Sequence, residues 1–86
     1  MQGSVRGHVL TEQGAPVPGA SVVIAQGPGP APDIAAESDE AGEFVFDGLP
    51  AGSYVLQAFG PAGETGETSV DVPAGGSAEA RIVLRS

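Results

Sequence analysis

Few side chains in this 86-residue chain are able to carry chemistry. His8 is the only histidine, and the chain contains neither cysteine nor lysine. A lone imidazole lacks the positioned partner that general acid–base catalysis requires, and zinc sites need several thiolates or imidazoles. None of the serines lies in a G-x-S-x-G turn, so a hydrolytic triad is not indicated. We therefore interpret His8 as a solvated side chain on the outer face of a strand.

The one local cluster of carboxylates consists of Asp39, Glu40 and Glu43. Calcium takes six to eight oxygen ligands, and calcium loops place acidic residues at alternate positions, a ladder that this segment lacks. Asp also suits the first position of a tight turn, and Gly42 suits its last. Turn capping by Asp39 is the favoured interpretation, and a calcium site is the alternative.

The balance of charge is strongly acidic, with 11 acidic residues, three arginines and a formal net charge of −8. The acidic residues are scattered along the chain, which is typical of a solvated surface. Such a polyanion repels nucleic acids and anionic lipids, so these two classes of partner are excluded. No apolar run approaches the roughly 18 residues of a transmembrane span. Residues 1–3 lack the cationic start and apolar stretch of a signal peptide.

Alternation of apolar and polar residues recurs along the chain, and the 14 glycines and eight prolines fall mostly between the alternating runs. This pattern predicts strands rather than helices. It also predicts a single domain, residues 1–86, that folds as an all-β, seven-stranded antiparallel Greek-key sandwich. The predicted strands are 4–10, 19–25, 34–38, 43–47, 53–59, 67–72 and 77–84. Residues 42–58 are interpreted as a β-hairpin with its turn at 49–52.

The inward positions of these strands predict the hydrophobic core. Without cysteine, that core alone must hold the fold together. Its predicted members are Val5, Val9, Ala20, Val22, Ile24, Phe44, Phe46, Leu49, Tyr54, Leu56, Val70, Val72, Ile82 and Leu84. Truncation of Phe44 or Leu56 to alanine is predicted to cost about 3 kcal/mol or more.

One spacing, D-x-x-G-x-F-x-F-x-x-L-x-x-G-x-Y-x-L, extends from Asp39 to Leu56. Together with VRGHVLTEQGAPVPGASVVI before it and ARIVL after it, this motif resembles the carboxypeptidase regulatory-like domains, which have a transthyretin-like (prealbumin-like) sandwich. The resemblance covers residues 4–84. It implies a non-catalytic accessory module of the kind that accompanies peptidases, adhesins, transporters and secretion machinery, mostly outside the cytoplasm.

Hydroxyisourate hydrolases share the transthyretin-like fold and begin with a similar His-Val-Leu segment, here residues 8–10. They end in Tyr-Arg-Gly-Ser, whereas this chain ends in Val-Leu-Arg-Ser. They also use a second histidine, which is absent, and an arginine where this chain has Glu43. The resemblance to these enzymes therefore lacks most of their catalytic residues, and an enzyme is the most distant alternative.

The function that we expect is that of a structural or protein-interaction module within a larger, exported assembly. Its contacts would be made by the loops 26–32 and 60–66 or by an exposed edge strand. The alternative is an accessory domain that binds carbohydrate or calcium. Carbohydrate sites normally use exposed aromatic rings, and only Phe59 lies outside the predicted core. No catalytic, cofactor-binding or metal-binding residue is assigned.

Overall fold

Seven β-strands form the part of the chain that the computed structural model describes, residues 2–28 and 35–85. They are β1 (Gln2–Leu10), β2 (Ser21–Gln26), β3 (Ala35–Glu37), β4 (Glu43–Pro50), β5 (Gly52–Phe59), β6 (Thr65–Val72) and β7 (Ser77–Val83). Every predicted strand is present, with ends that differ by up to three residues. Residue 34, predicted to begin the third strand, lies outside the described residues. Within those ranges, no helix is long and apolar enough to cross a membrane.

The strands form two sheets, one with the order β4-β1-β7 and one with the order β3-β2-β5-β6. Their apolar faces meet in one core, so the chain is an all-β sandwich, as predicted. One pair departs from the antiparallel prediction, because β7 runs parallel to β1. Alternation fixes which face of a strand is buried and carries no information about the direction of its neighbour. The Greek-key connectivity stays a prediction.

The segment 42–58 is not a hairpin, contrary to its interpretation from the sequence. β4 pairs with β1, whereas β5 pairs with β2 and β6 in the other sheet. The chain therefore passes from one sheet to the other between Pro50 and Gly52, as a β-arch. The Tyr54 hydroxyl donates a hydrogen bond to the Pro50 carbonyl and thereby stabilises this arch. A hairpin and an arch both place alternate residues inward, so the sequence pattern is the same for the two.

The core contains all of the residues that the alternation assigned to it. Phe44 and Phe46 meet edge to face within it, with ring centroids 6.0 Å apart. Val17 and Ala58 are buried in the same core. Val17 lies outside every predicted strand, in the extended segment between Pro16 and Pro18. An isolated β-bridge joins Pro16 of this segment to Leu10.

Candidate interaction surface

The Asp39 carboxylate closes the turn that leads into β4. Its Oδ1 accepts hydrogen bonds from the backbone N–H groups of Ala41 and Glu43, both at 2.9 Å. The Gly42 N–H donates to the Asp39 carbonyl at 2.9 Å, and Gly42 has φ of +74°, where a side chain would be strained. The capping role predicted for Asp39 is confirmed. Across residues 2–28 and 35–85, no three His, Cys, Asp or Glu side chains converge on a possible metal position.

His8 lies on the solvent side of β1, as predicted, and its neighbours are charged side chains. Its Nε2 lies 3.5 Å from Oε2 of Glu43, and Nε of Arg6 lies 3.7 Å from Oε1 of the same carboxylate. About half of the His8 side chain and two thirds of the Arg6 side chain remain exposed, so the Arg6–Glu43 ion pair contributes at most about 1 kcal/mol to stability. The imidazole therefore faces a carboxylate that Arg6 also contacts.

The outer face of the β4-β1-β7 sheet carries charged side chains of both signs, and we call it the mixed-charge face. Arg6 of β1 lies between Val45 of β4 and Glu79 of β7. In the next row, His8 lies between Glu43 and Arg81. Arg6 thus has one oppositely charged neighbour, Glu79, whereas His8 lies between a carboxylate and a guanidinium.

A shallow depression of about 340 Å³ crosses the mixed-charge face. Its lining residues are Arg6, His8, Glu79, Ala80 and Arg81. Two of the three arginines and the only histidine of the chain therefore surround one open depression. A depression that is open to solvent does not exclude water as an enclosed active-site cleft does.

The outer face of the four-stranded sheet is different in character. Its exposed positions on β5 and β6 include Ser53, Phe59, Glu67 and Asp71, and the strands of this sheet contain no arginine, lysine or histidine. Phe59 is 41% exposed at the end of β5. This is the ring that the sequence left outside the core, and the other three aromatic rings of the chain are buried.

A model of the carboxypeptidase regulatory-like domain matches residues 4–85. The chain belongs to this family. A DUF3823 family protein from Parabacteroides merdae ATCC 43184 has a similar fold, with a TM-score of 0.69 and 17% sequence identity. The match covers 96% of this chain and 45% of that protein, so this carboxypeptidase regulatory-like domain spans less than half of its structural neighbour. No curated protein sequence matches the chain.

The family motif from Asp39 to Leu56 is accounted for by packing and turn geometry. Asp39 caps its turn, and Gly52 has φ of +148°, which, like the φ of Gly42, is a value that other residues rarely adopt. The apolar members are all buried: Phe44, Phe46, Leu49, Tyr54 and Leu56. Between the motif positions of β4 lie Glu43, Val45 and Asp47, and their side chains point away from the core. The family motif therefore leaves the outward positions of β4 unassigned.

One structurally important polar residue, Ser38, was not predicted from the sequence. Its hydroxyl is buried, accepts a hydrogen bond from the Ala20 N–H at 2.8 Å and donates one to the Val17 carbonyl at 2.6 Å. Both partners lie 18 or more positions earlier in the chain. No local pattern would have identified Ser38, because these partners become neighbours only after β2 and β3 have paired.

The two loops predicted to make contacts are described to different extents. Residues 29–32 of the 26–32 loop lie outside the described ranges. The 60–66 loop is closed by its own hydrogen bonds, since the Gly60 N–H donates to the Glu64 carbonyl at 2.8 Å and the Ala62 N–H donates to Glu64 Oε1 at 2.9 Å. Pro61, Ala62 and Gly63 at its tip are exposed. This loop is a compact turn that presents little side-chain surface.

Proposed function

We propose that this carboxypeptidase regulatory-like domain is a non-catalytic module that binds another protein, as an accessory domain of a larger, exported assembly. The observation that supports this most directly is the contrast between the buried and the exposed side chains of β4. The motif positions Phe44 and Phe46 are buried, while the intervening Glu43, Val45 and Asp47 are presented on an open face. A scaffold of this kind holds its inner face constant and leaves its outer face available for recognition.

The surroundings of His8 also favour binding over catalysis. Its neighbours within the described ranges are Glu43, Arg6 and Arg81, and no hydroxyl of that part of the chain is hydrogen-bonded to the imidazole. Nucleophilic catalysis would need a nucleophile within hydrogen-bond reach of the base. Ion pairs on an open face instead set orientation and on-rate in protein association.

Site-specific photo-crosslinking tests the proposed function. A photoreactive amino acid would be placed in the full chain at Val45 on the mixed-charge face, at Gln57 on the opposite sheet and at Ala62 in the 60–66 loop. These three positions sample separate surfaces. After irradiation in the cells that produce the protein, we expect one discrete adduct from one surface, with its partner protein identified by mass spectrometry.

The matched control is the same chain with the photoreactive residue at the two other positions, because nonspecific collisions label all three surfaces alike. The purified partner should then bind the unmodified chain, and an arginine substitution at the crosslinked position should weaken that binding. Equal, diffuse labelling from all three positions, or none from any, would contradict an interaction role.

A further inference from the structure

β4 forms an open edge of the three-stranded sheet. It is the end strand of the order β4-β1-β7, and none of the other described strands pairs with its second side. Edge strands present unpaired backbone N–H and C=O groups, which are a template for another strand. Long edges are normally protected by proline, charge or a covering segment. β4 extends over eight residues and carries its proline at the last position, Pro50.

The hydrogen-bond register identifies which backbone groups of β4 face outward. The Val9 N–H donates to the Gly42 carbonyl at 2.7 Å, and Gly7 and Val5 lie opposite Phe44 and Phe46. Hydrogen-bonded pairs recur at every second residue of an antiparallel ladder, so Phe44 and Phe46 bond to β1, and the intervening residues direct their backbone groups away from it.

The hydrogen bonds of Glu43 agree with this assignment and show that the free edge of β4 begins after Glu43. Its N–H donates to Asp39 Oδ1, and its carbonyl accepts a hydrogen bond from the Asp39 N–H at 3.0 Å. The outward backbone groups of Glu43 are thus used by the capped turn. Those of Val45, two residues further on, have no hydrogen-bond partner within the described ranges.

The side chains along this edge define what a neighbouring strand must carry. Val45 is 41% exposed, one of two large apolar side chains this exposed in the described chain. Glu43 and Asp47 lie two residues to either side of it, on the same face. Because Asp39 already occupies the edge beside Glu43, an added strand would place its alternate side chains opposite Val45 and Asp47. The complementary sequence therefore has an apolar residue and a basic residue at a spacing of two.

A second copy of this chain does not meet that requirement through β4. If two β4 strands paired antiparallel about Val45, Glu43 of each copy would lie opposite Asp47 of the other. If they paired parallel and in register, each carboxylate would lie opposite its own counterpart. Like charges directly opposite one another destabilise a strand pair. The formal net charge of −8 on each copy adds repulsion at longer range.

We propose that the free edge of β4 captures an extended segment of a partner protein, with an apolar residue and a basic residue two positions before it, as an added antiparallel strand. The segment adds antiparallel, because only then do both backbone groups of Val45 bond to the single apolar residue opposite it. Its pattern is basic–x–apolar: the basic side chain lies opposite Asp47, and the segment ends before Glu43, whose outward backbone groups are bonded to Asp39. This deepens the proposed function and rests on it, because it names the chemistry of the partner.

A short peptide tests the proposal with the full 86-residue chain. The probe is a fluorescein-labelled, end-capped peptide of sequence Thr-Arg-Thr-Val-Thr, and its binding is followed by fluorescence anisotropy. The control, Thr-Thr-Arg-Val-Thr, has the same composition and charge, but its arginine lies on the other face of the strand. We expect the patterned peptide to bind about threefold or more tightly than this shifted-arginine control, since only the patterned one places its basic side chain opposite Asp47.

Backbone methylation separates strand addition from general attraction to an acidic protein. N-methylation of the peptide valine removes the N–H that bonds to Val45, whereas N-methylation of a neighbouring threonine alters an N–H that faces away from β4. The first peptide should bind about tenfold more weakly and the second should bind almost unchanged. This comparison uses the unaltered protein and does not depend on any variant folding.

On the protein side, Val45→Pro removes the outward N–H and leaves the bonds of Phe44 and Phe46 to β1 in place, as edge strands permit. Val45→Thr is its matched control, with a similar shape and an intact N–H. We expect Val45→Pro to abolish the advantage of the patterned peptide and Val45→Thr to retain it. In the unaltered chain, amide exchange at Val45 should slow on peptide binding.

Equal binding of the patterned and shifted-arginine peptides, or equal losses from the two methylated peptides, would overturn strand addition at β4. If crosslinking nevertheless yields a partner through Gln57 or Ala62, the proposed function stands and only the β4 edge is refuted. If the peptide binds as expected and no cellular adduct forms from any position, the edge is competent for strand addition and the interaction role fails.

Discussion

The two faces of the β4-β1-β7 sheet differ in how strictly they constrain the sequence. The inner face buries Val5, Phe44 and Phe46 almost completely, and Phe44 and Phe46 are fixed positions of the family motif. The outer face, on the same strands, carries Arg6, Glu43 and other charged side chains that keep substantial exposure. Packing thus constrains one face, whereas the core makes no demand on the side chains of the other.

Truncation of the inner face should have the largest effect on stability. Phe44→Ala removes a ring that is 2% exposed and packed against Phe46, and we expect it to lower the free energy of unfolding by about 3 kcal/mol or more. The adjacent Val45→Ala is the matched control on the outer face, with an expected change within about 0.5 kcal/mol. Thermal melting of both variants checks the contrast, and similar losses in the two would abolish the distinction between the faces.

Removal of the buried Ser38 hydroxyl should have the next largest effect. Ser38→Ala leaves the Ala20 N–H and the Val17 carbonyl without their partner, and an unsatisfied buried polar group costs about 1–3 kcal/mol. Ser53→Ala is the control, because its hydroxyl bonds to Asp71 at an exposed site. Urea unfolding measures both. A Ser38 variant as stable as the Ser53 variant would show that the burial of this hydroxyl contributes nothing.

Alternation was sufficient to predict the core, because burial depends on which side of a strand a residue occupies. It failed at three places where the relevant information is not local. The parallel direction of β7 beside β1, the arch between Pro50 and Gly52, and the bonds of Ser38 all depend on which strands become neighbours. A single sequence therefore indicates which face of each strand is buried far better than it indicates which strands pair.

The contacts of the mixed-charge face could not be predicted from the sequence for the same reason, because they depend on strand pairing. The sequence placed His8 on an outer face, but its contact with Glu43 joins residues 35 positions apart through the β1–β4 register. The open edge of β4 could likewise be recognised only once β5 was found in the other sheet. A hairpin between β4 and β5 would have covered that edge.

Asp39 is exposed, yet it has a structural role like the residues of the inner face. It therefore tests whether exposure alone separates the two classes of residue. Asp39→Ala removes the acceptor of two backbone N–H groups, and we expect it to cost about 1 kcal/mol, as the loss of a comparable cap does in a helix. Glu40→Ala, next to it on the exposed turn, should have almost no effect. Melting temperatures of the two variants provide the measurement, and equal values would remove the structural role of Asp39.

Calcium provides an independent check on the same turn. With Asp39 committed to backbone N–H groups and Glu43 directed towards Arg6 and His8, we expect no change in melting temperature when millimolar calcium is added. A ligand at 100 times its dissociation constant would stabilise the fold by about 2.7 kcal/mol, which corresponds to a rise of about 10 °C or more in a domain of this size. A rise of that size, lost in Asp39→Ala, would establish the calcium alternative.

The smallest effect on stability is expected from the ion pairs of the mixed-charge face. Glu43→Gln removes the charge that Arg6 and His8 share and leaves the shape of the side chain. Because these groups are substantially solvated, the change in the free energy of unfolding should be within about 0.5 kcal/mol. Arg81→Gln is the matched control, since it removes a charge from the same face without breaking an ion pair of the described chain. If Glu43→Gln instead destabilised the domain as much as Ser38→Ala, the outer face would be part of what holds the sandwich together, and its charges would no longer be free to serve recognition alone.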